Sequence, residues 1–80
     1  MGMSFSVRVV DSDGDPRRGI RVYADFGLLH GGLTEHTGDD GWAAFETAGN
    51  NYVTVELFVD GESQGDHSLS DGDTFSFTLG

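Results

Sequence analysis

Apolar and polar side chains alternate with a period of two along almost the whole chain. Phe5, Val7 and Val9 alternate with Ser6 and Arg8; Ile20, Val22, Ala24 and Phe26 with Arg21, Tyr23 and Asp25. Leu33 to Thr37 forms a short polar run, and Ala43 and Phe45 alternate with Trp42, Ala44 and Glu46. Val53, Val55, Leu57 and Val59 then alternate with Thr54, Glu56 and Phe58, and Phe75, Phe77 and Leu79 with Thr74, Ser76 and Thr78. A period of two places alternate side chains on opposite faces of a strand, and it is incompatible with an amphipathic helix. Asp13-Gly14, Asp40-Gly41, Asp60-Gly61 and Asp71-Gly72 stand between the runs, where glycine supplies the positive φ of tight turns. Residues 62–69 are poor in apolar groups except Leu69, but they lie between two Asp-Gly turns and read as a polar edge strand. Short strands at roughly 8–12-residue spacing predict an all-β fold, a single small antiparallel sandwich of about seven strands.

Eighty residues suit one domain, residues 1–80, and a chain of that size buries only a little over ~60% of its extended surface. Cysteine is absent, so neither a disulfide nor a thiolate metal cluster can reinforce the core. No apolar run approaches the ~20 residues that span a bilayer. Met1 to Ser6 lacks the basic and apolar regions of a secretion signal, so the expected location is cytoplasmic.

The formal net charge is −10, and it is unevenly spread. All four cationic side chains, Arg8, Arg17, Arg18 and Arg21, fall in the first 21 residues, and lysine is absent. The rest of the chain carries eleven carboxylates and no Lys or Arg. Such a field repels nucleic acid and anionic membranes and favours basic partners, which excludes direct DNA or RNA binding. A solvated acidic surface that keeps a small protein soluble is the competing explanation of the charge.

Val9-Val10-Asp11-Ser12-Asp13-Gly14-Asp15-Pro16, then Gly19-Ile20-Arg21-Val22, then Thr37-Gly38-Asp39-Asp40-Gly41-Trp42-Ala43-Ala44-Phe45, resembles the carboxypeptidase regulatory-like, or prealbumin-like (transthyretin-like), family. The resemblance covers roughly residues 5–59 and rests mostly on turn glycines and alternation. It implies an Ig-like or prealbumin-like sandwich acting as an accessory or adhesive module without an active site. Pilin-type modules are similar, but their isopeptide cross-link needs a lysine, so that bond is excluded here.

If consecutive strands reverse direction, alternate loops share an end of the sandwich. The loops at 11–19, 38–41 and 60–62 then meet at one pole and bring Asp11, Asp13, Asp15, Asp39, Asp40, Asp60 and Glu62 with them, relieved by Arg17 and Arg18. The opposite pole receives the 27–32 loop, Asn50-Asn51, Asp71 and Asp73. Hard carboxylate oxygens suit calcium, and Asp11-Ser12-Asp13-Gly14-Asp15 begins like a calcium loop. Pro16 at its sixth position and Val22 at its twelfth, however, replace the glycine and glutamate that such a loop uses. Aspartates that close tight turns through their own side chains explain the same residues. No metal or other cofactor is therefore expected.

Other candidates carry less. His30, His36 and His67 lack metal-ligand spacing and read as exposed polar groups. The serines lack a nucleophile elbow, and solvated carboxylates make poor general acids, so no catalytic residue is assigned. Tyr23, Trp42, Tyr52 and Phe58 fall outside the core parity and, with Leu28 and Leu29, offer aromatic or apolar surface for protein contact or for a sugar platform. The sequence thus predicts a non-enzymatic acidic domain that binds a basic protein surface through Asp11, Asp13, Asp15, Asp39, Asp40, Trp42, Asp60 and Glu62. In its most concrete form this is an inhibitor that occupies the nucleic-acid-binding surface of a partner complex, a DNA mimic of the kind found among phage anti-CRISPR proteins, as a monomer or weak dimer. The alternative is an accessory prealbumin-like module, carbohydrate-binding or calcium-stabilised.

Overall fold

In the computed structural model, which describes residues 2–27, 31–47 and 54–79, each alternating run becomes a strand. These are β1 (Ser4–Val10), β2 (Arg21–Asp25), β3 (Gly32–His36), β4 (Trp42–Glu46), β5 (Thr54–Val59), β6 (Glu62–Ser68) and β7 (Asp73–Thr78). No helix occurs among the described residues. Leu28, Leu29 and His30, and Asn50, Asn51, Tyr52 and Val53, lie outside them.

The strands form two sheets, β4-β1-β7 and β3-β2-β5-β6, which pack as a β-sandwich. All pairings are antiparallel except β1 with β7, where Phe5–Val10 run alongside Asp73–Thr78 in parallel. One rule explains both. Each connection returns the chain to the other end, so odd-numbered strands point one way and even-numbered strands the other. Every antiparallel neighbour pair joins an odd strand to an even one, while β1 and β7 are both odd.

The core lies between the sheets, and the alternation decides what enters it. Phe5, Val7 and Val9 of β1, Val22 and Ala24 of β2, Ala43 and Phe45 of β4, and Val55, Leu57 and Val59 of β5 are all buried. Phe5 is the hub. Its ring stacks on Phe45 (4.9 Å between centroids, 4° from parallel) and takes Phe26 and Phe75 edge-on at 6.2 and 6.3 Å. Such pairs contribute about 0.5–1.5 kcal/mol each beyond their buried area.

The turns follow the Asp-Gly signals. Asp60 and Gly61 have φ of 53° and 84°, the double positive φ that a two-residue β5–β6 hairpin requires. Gly41 is needed for two reasons. Its φ is +80°, and a Cβ there would come within 2.7 Å of the Val9 carbonyl oxygen and 3.0 Å of Pro16. This close approach seats the β3–β4 turn against the β1–β2 loop.

β6 is an edge strand, as its polar sequence indicates. Its register against β5 shifts between Glu56 and Phe58, with Glu56 opposite Asp66 and Phe58 opposite Ser63, so β6 carries one extra residue. Gly65, with φ +85°, sits in that bulge. His67 departs from the expected exposed position. It pairs with the inward-facing Val55 and lies half-buried, its ring 5.2 Å from Phe75 and 5.6 Å from Phe77. An imidazole therefore covers the side of the core between the β6 and β7 edges.

Candidate functional site

The acidic pole is built by three connections. Asp11 organises the first. Its Oδ1 accepts hydrogen bonds from the backbone N–H groups of Asp13 (2.9 Å) and Asp15 (3.0 Å), and its own N–H donates to the Asp15 carbonyl (2.8 Å). This side-chain closure is why aspartate suits the position. It brings the carboxylates of Asp11, Asp13 and Asp15 within 4.8 Å of one another.

The β3–β4 turn carries Asp39 and Asp40. The Val9 N–H donates to the Gly41 carbonyl and the Gly19 N–H to the Thr37 carbonyl, each at 2.8 Å, so this turn is tied to the end of β1 and to the last residues of the β1–β2 connection. Buried Thr37 fixes the junction. Its hydroxyl donates to the Arg17 carbonyl (2.6 Å) and accepts from the Ile20 N–H (2.9 Å). Asp40 accepts from the Trp42 N–H at 3.0 Å and thereby sets where β4 begins.

Asp60, on the third connection, and Glu62, the first residue of β6, stand at the same pole, since the Asp60 N–H donates to the Arg21 carbonyl (2.9 Å). They belong to the four-stranded sheet, and their place is fixed through β2 rather than through the Asp11–Asp15 loop. Trp42 sits half-buried on the outer face of the three-stranded sheet, in register with Arg8. The pole is also less acidic than the sequence suggested, because β2 starts there and adds Arg21 to Arg17 and Arg18. Arg18 reaches Asp39 at 3.2 Å, with the two side chains 76% and 86% exposed. That exposure makes the pair worth about 0–1 kcal/mol.

A second acidic feature was not legible in the sequence. Asp25, Glu56 and Asp66 occupy directly opposed positions on β2, β5 and β6. They lie on the outer face of the four-stranded sheet, because their neighbours Ala24, Val55 and Leu57 face the core. Asp25 and Glu56 lie 31 positions apart in the chain, and only the pairing of β2 with β5 brings them together.

Among the described residues, the buried polar side chains are Thr37 and Thr47, and Thr47 Oγ1 accepts from the Met3 N–H at 3.0 Å. Both hydroxyls brace backbone. Fold and site together describe an acidic β-sandwich with a carboxylate-rich end formed by three adjoining turns. Comparison with known proteins found no matching family model, no matching curated protein and no matching solved structure.

Proposed function

We propose that this chain is a non-enzymatic acidic binding domain whose carboxylate-rich pole docks on a basic surface of a partner protein. The observation that supports the reading is the seating of the β3–β4 turn, which carries Asp39 and Asp40, against Val9 and Pro16, at the end of the sandwich where Asp11, Asp13 and Asp15 cluster. Carboxylates spaced along such a surface present anionic oxygens to Arg and Lys as phosphates do. The most concrete form is an inhibitor that occupies the surface a nucleic-acid-binding complex uses for its substrate, in the manner of DNA-mimicking anti-CRISPR proteins. Trp42, at the start of β4, supplies an aromatic anchor at the edge of that surface.

The test starts from a partner captured on the immobilised protein and measures affinity for two variant sets, Asp39→Asn with Asp40→Asn, and Asp11→Asn with Asp13→Asn and Asp15→Asn. Asparagine keeps the acceptor oxygens that close the turns while removing charge. Both sets should weaken binding, chiefly through the association rate, and added nucleic acid should displace the protein. Unchanged affinity in both sets at low salt, together with loss of binding on Trp42→Ala, would overturn the reading.

The 4.8 Å grouping of Asp11, Asp13 and Asp15 favours a second reading, a calcium-stabilised accessory module. Under the docking reading, CaCl2 and NaCl at equal ionic strength raise the melting temperature equally. A saturable, chelator-reversible rise specific to calcium would transfer the assignment to the module.

A further inference from the structure

β3, β4, β6 and β7 each have a neighbour on one side only, and of these edges β7 is the unguarded one. β3 places Glu35 on its core-facing side, opposite buried Val22, and β4 is five residues long and ends on Glu46. β6 combines Glu62 and Asp66 with its bulge at Gly65. Inward charges, short length and bulges are the means by which exposed edges avoid pairing with other chains. Beyond Asp73 at its start, β7 has none of them. Thr74 to Thr78 is uncharged, free of proline and glycine, and in unbroken register with β1.

The ladder also fixes where the backbone of β7 points. The Leu79 N–H donates to the Val10 carbonyl (2.7 Å), and strand residues alternate in direction, so Phe75 and Phe77 bond β1. Thr74, Ser76 and Thr78 therefore turn their N–H and C=O groups outward at ~7 Å intervals, a row that another strand satisfies group for group. No hydrogen bond joins those groups to another described residue. Phe75 and Phe77, which alternate with them, stay half-buried although the His67 ring lies against both. An added strand would set its own apolar side chains beside these rings, and such cross-strand pairs stabilise a sheet.

Charge decides what kind of strand fits. Asp71 and Asp73 stand at one end of the edge. At the other, Thr78 pairs with Val10, and Asp11 of the acidic pole follows directly. The middle is neutral and both ends are anionic. A second copy of this chain would bring the same carboxylates, and a net charge of −10, against them.

We propose that the β7 edge takes up an extended segment of a partner protein as an added antiparallel strand, with apolar and small polar residues alternating in its middle and Lys or Arg at both ends. Main-chain hydrogen bonds supply the affinity, and the apolar positions and basic ends supply the selectivity. The edge runs along the side of the three-stranded sheet, so it can take a strand whether or not the pole docks a partner.

The test is amide hydrogen exchange of the full chain with the peptide Lys-Lys-Thr-Val-Thr-Val-Thr-Lys-Lys. In the free protein the amides of Thr74, Ser76 and Thr78 should exchange fast, and those of Phe75 and Phe77 slowly. With peptide at about ten times its Kd, exchange at the first three should slow about tenfold, because the open edge is then about a tenth populated. N-methylation at the peptide's threonines removes the N–H groups that an antiparallel strand turns toward β7 and should abolish binding. N-methylation at its valines should spare binding. Glutamate in place of the lysines should weaken it by about tenfold or more. Ser76→Pro removes an outward N–H without touching the β1 ladder, so the melting temperature should hold while binding is lost. The methylated peptides make the same test on the unaltered protein. Asp13→Asn with Asp15→Asn should weaken the peptide several-fold yet leave the same three amides protected. Equal binding of the two methylated peptides, equal binding of the glutamate peptide, or protection absent from Thr74, Ser76 and Thr78 would overturn the proposal. So would a dimer of the protein alone in sedimentation equilibrium that Ser76→Pro dissolves, since the edge would then belong to a second copy.

Discussion

Thr37 is one side chain on which the acidic pole depends. Its hydroxyl is buried and doubly engaged, bracing the Ile20 N–H and the Arg17 carbonyl of the β1–β2 loop from the far side of the β3–β4 turn. Thr37→Val keeps the shape but strands both backbone groups away from water. The cost is about 1–3 kcal/mol, because an unsatisfied buried group loses its hydration without replacement. For a chain of this length that corresponds to a fall in melting temperature of roughly 5–20 °C. Calorimetry checks the value, and amide hydrogen exchange should show the loss of protection concentrated at Gly19 and Ile20. Alternation alone does not separate Thr37 from Thr34 or Thr47; the resemblance puts it at the head of the Thr37–Phe45 segment, but its bracing role comes from two partners 17 and 20 residues away.

At the scale of elements, the strands were legible because the period-two pattern is a local consequence of burying one face. The Asp-Gly turns were legible because positive φ is a local demand. The convergence of the 11–19, 38–41 and 60–62 loops also followed from the sequence, since strand parity alone decides which loops share an end. What local pattern could not supply was sheet order, and with it the Asp25–Glu56–Asp66 row. It also could not supply the extra residue in β6, because Gly65 among polar neighbours reads the same in a bulge as in a turn. That bulge twists an exposed edge away from a flat template, a protection edge strands commonly use. Gly65→Val would force a branched side chain into φ +85°, at a cost of about 1–2 kcal/mol, or drive the strand to straighten. Light scattering over a concentration series should show the variant self-associating where the parent does not.

For the whole molecule, fourteen carboxylates on 80 residues impose a repulsion that folding concentrates. Stability should therefore rise with NaCl and level off as the Debye length falls from ~10 Å at 0.1 M to ~3 Å at 1 M. Thermal unfolding across that range measures it, and a melting temperature indifferent to salt would show that the charges are already balanced in the fold. The lone parallel pairing has a different consequence, a mechanical one. Pulled apart through Ser4 and Thr78, β1 and β7 slide along one another, so the bonds of six register pairs carry the load together. The β5–β6 hairpin, pulled across its open ends at Thr54 and Ser68, opens one rung at a time instead. Force spectroscopy should find this small domain much harder to break along the first axis than along the second. Tension applied through its first and last strands meets the three-stranded sheet in the direction where it yields last.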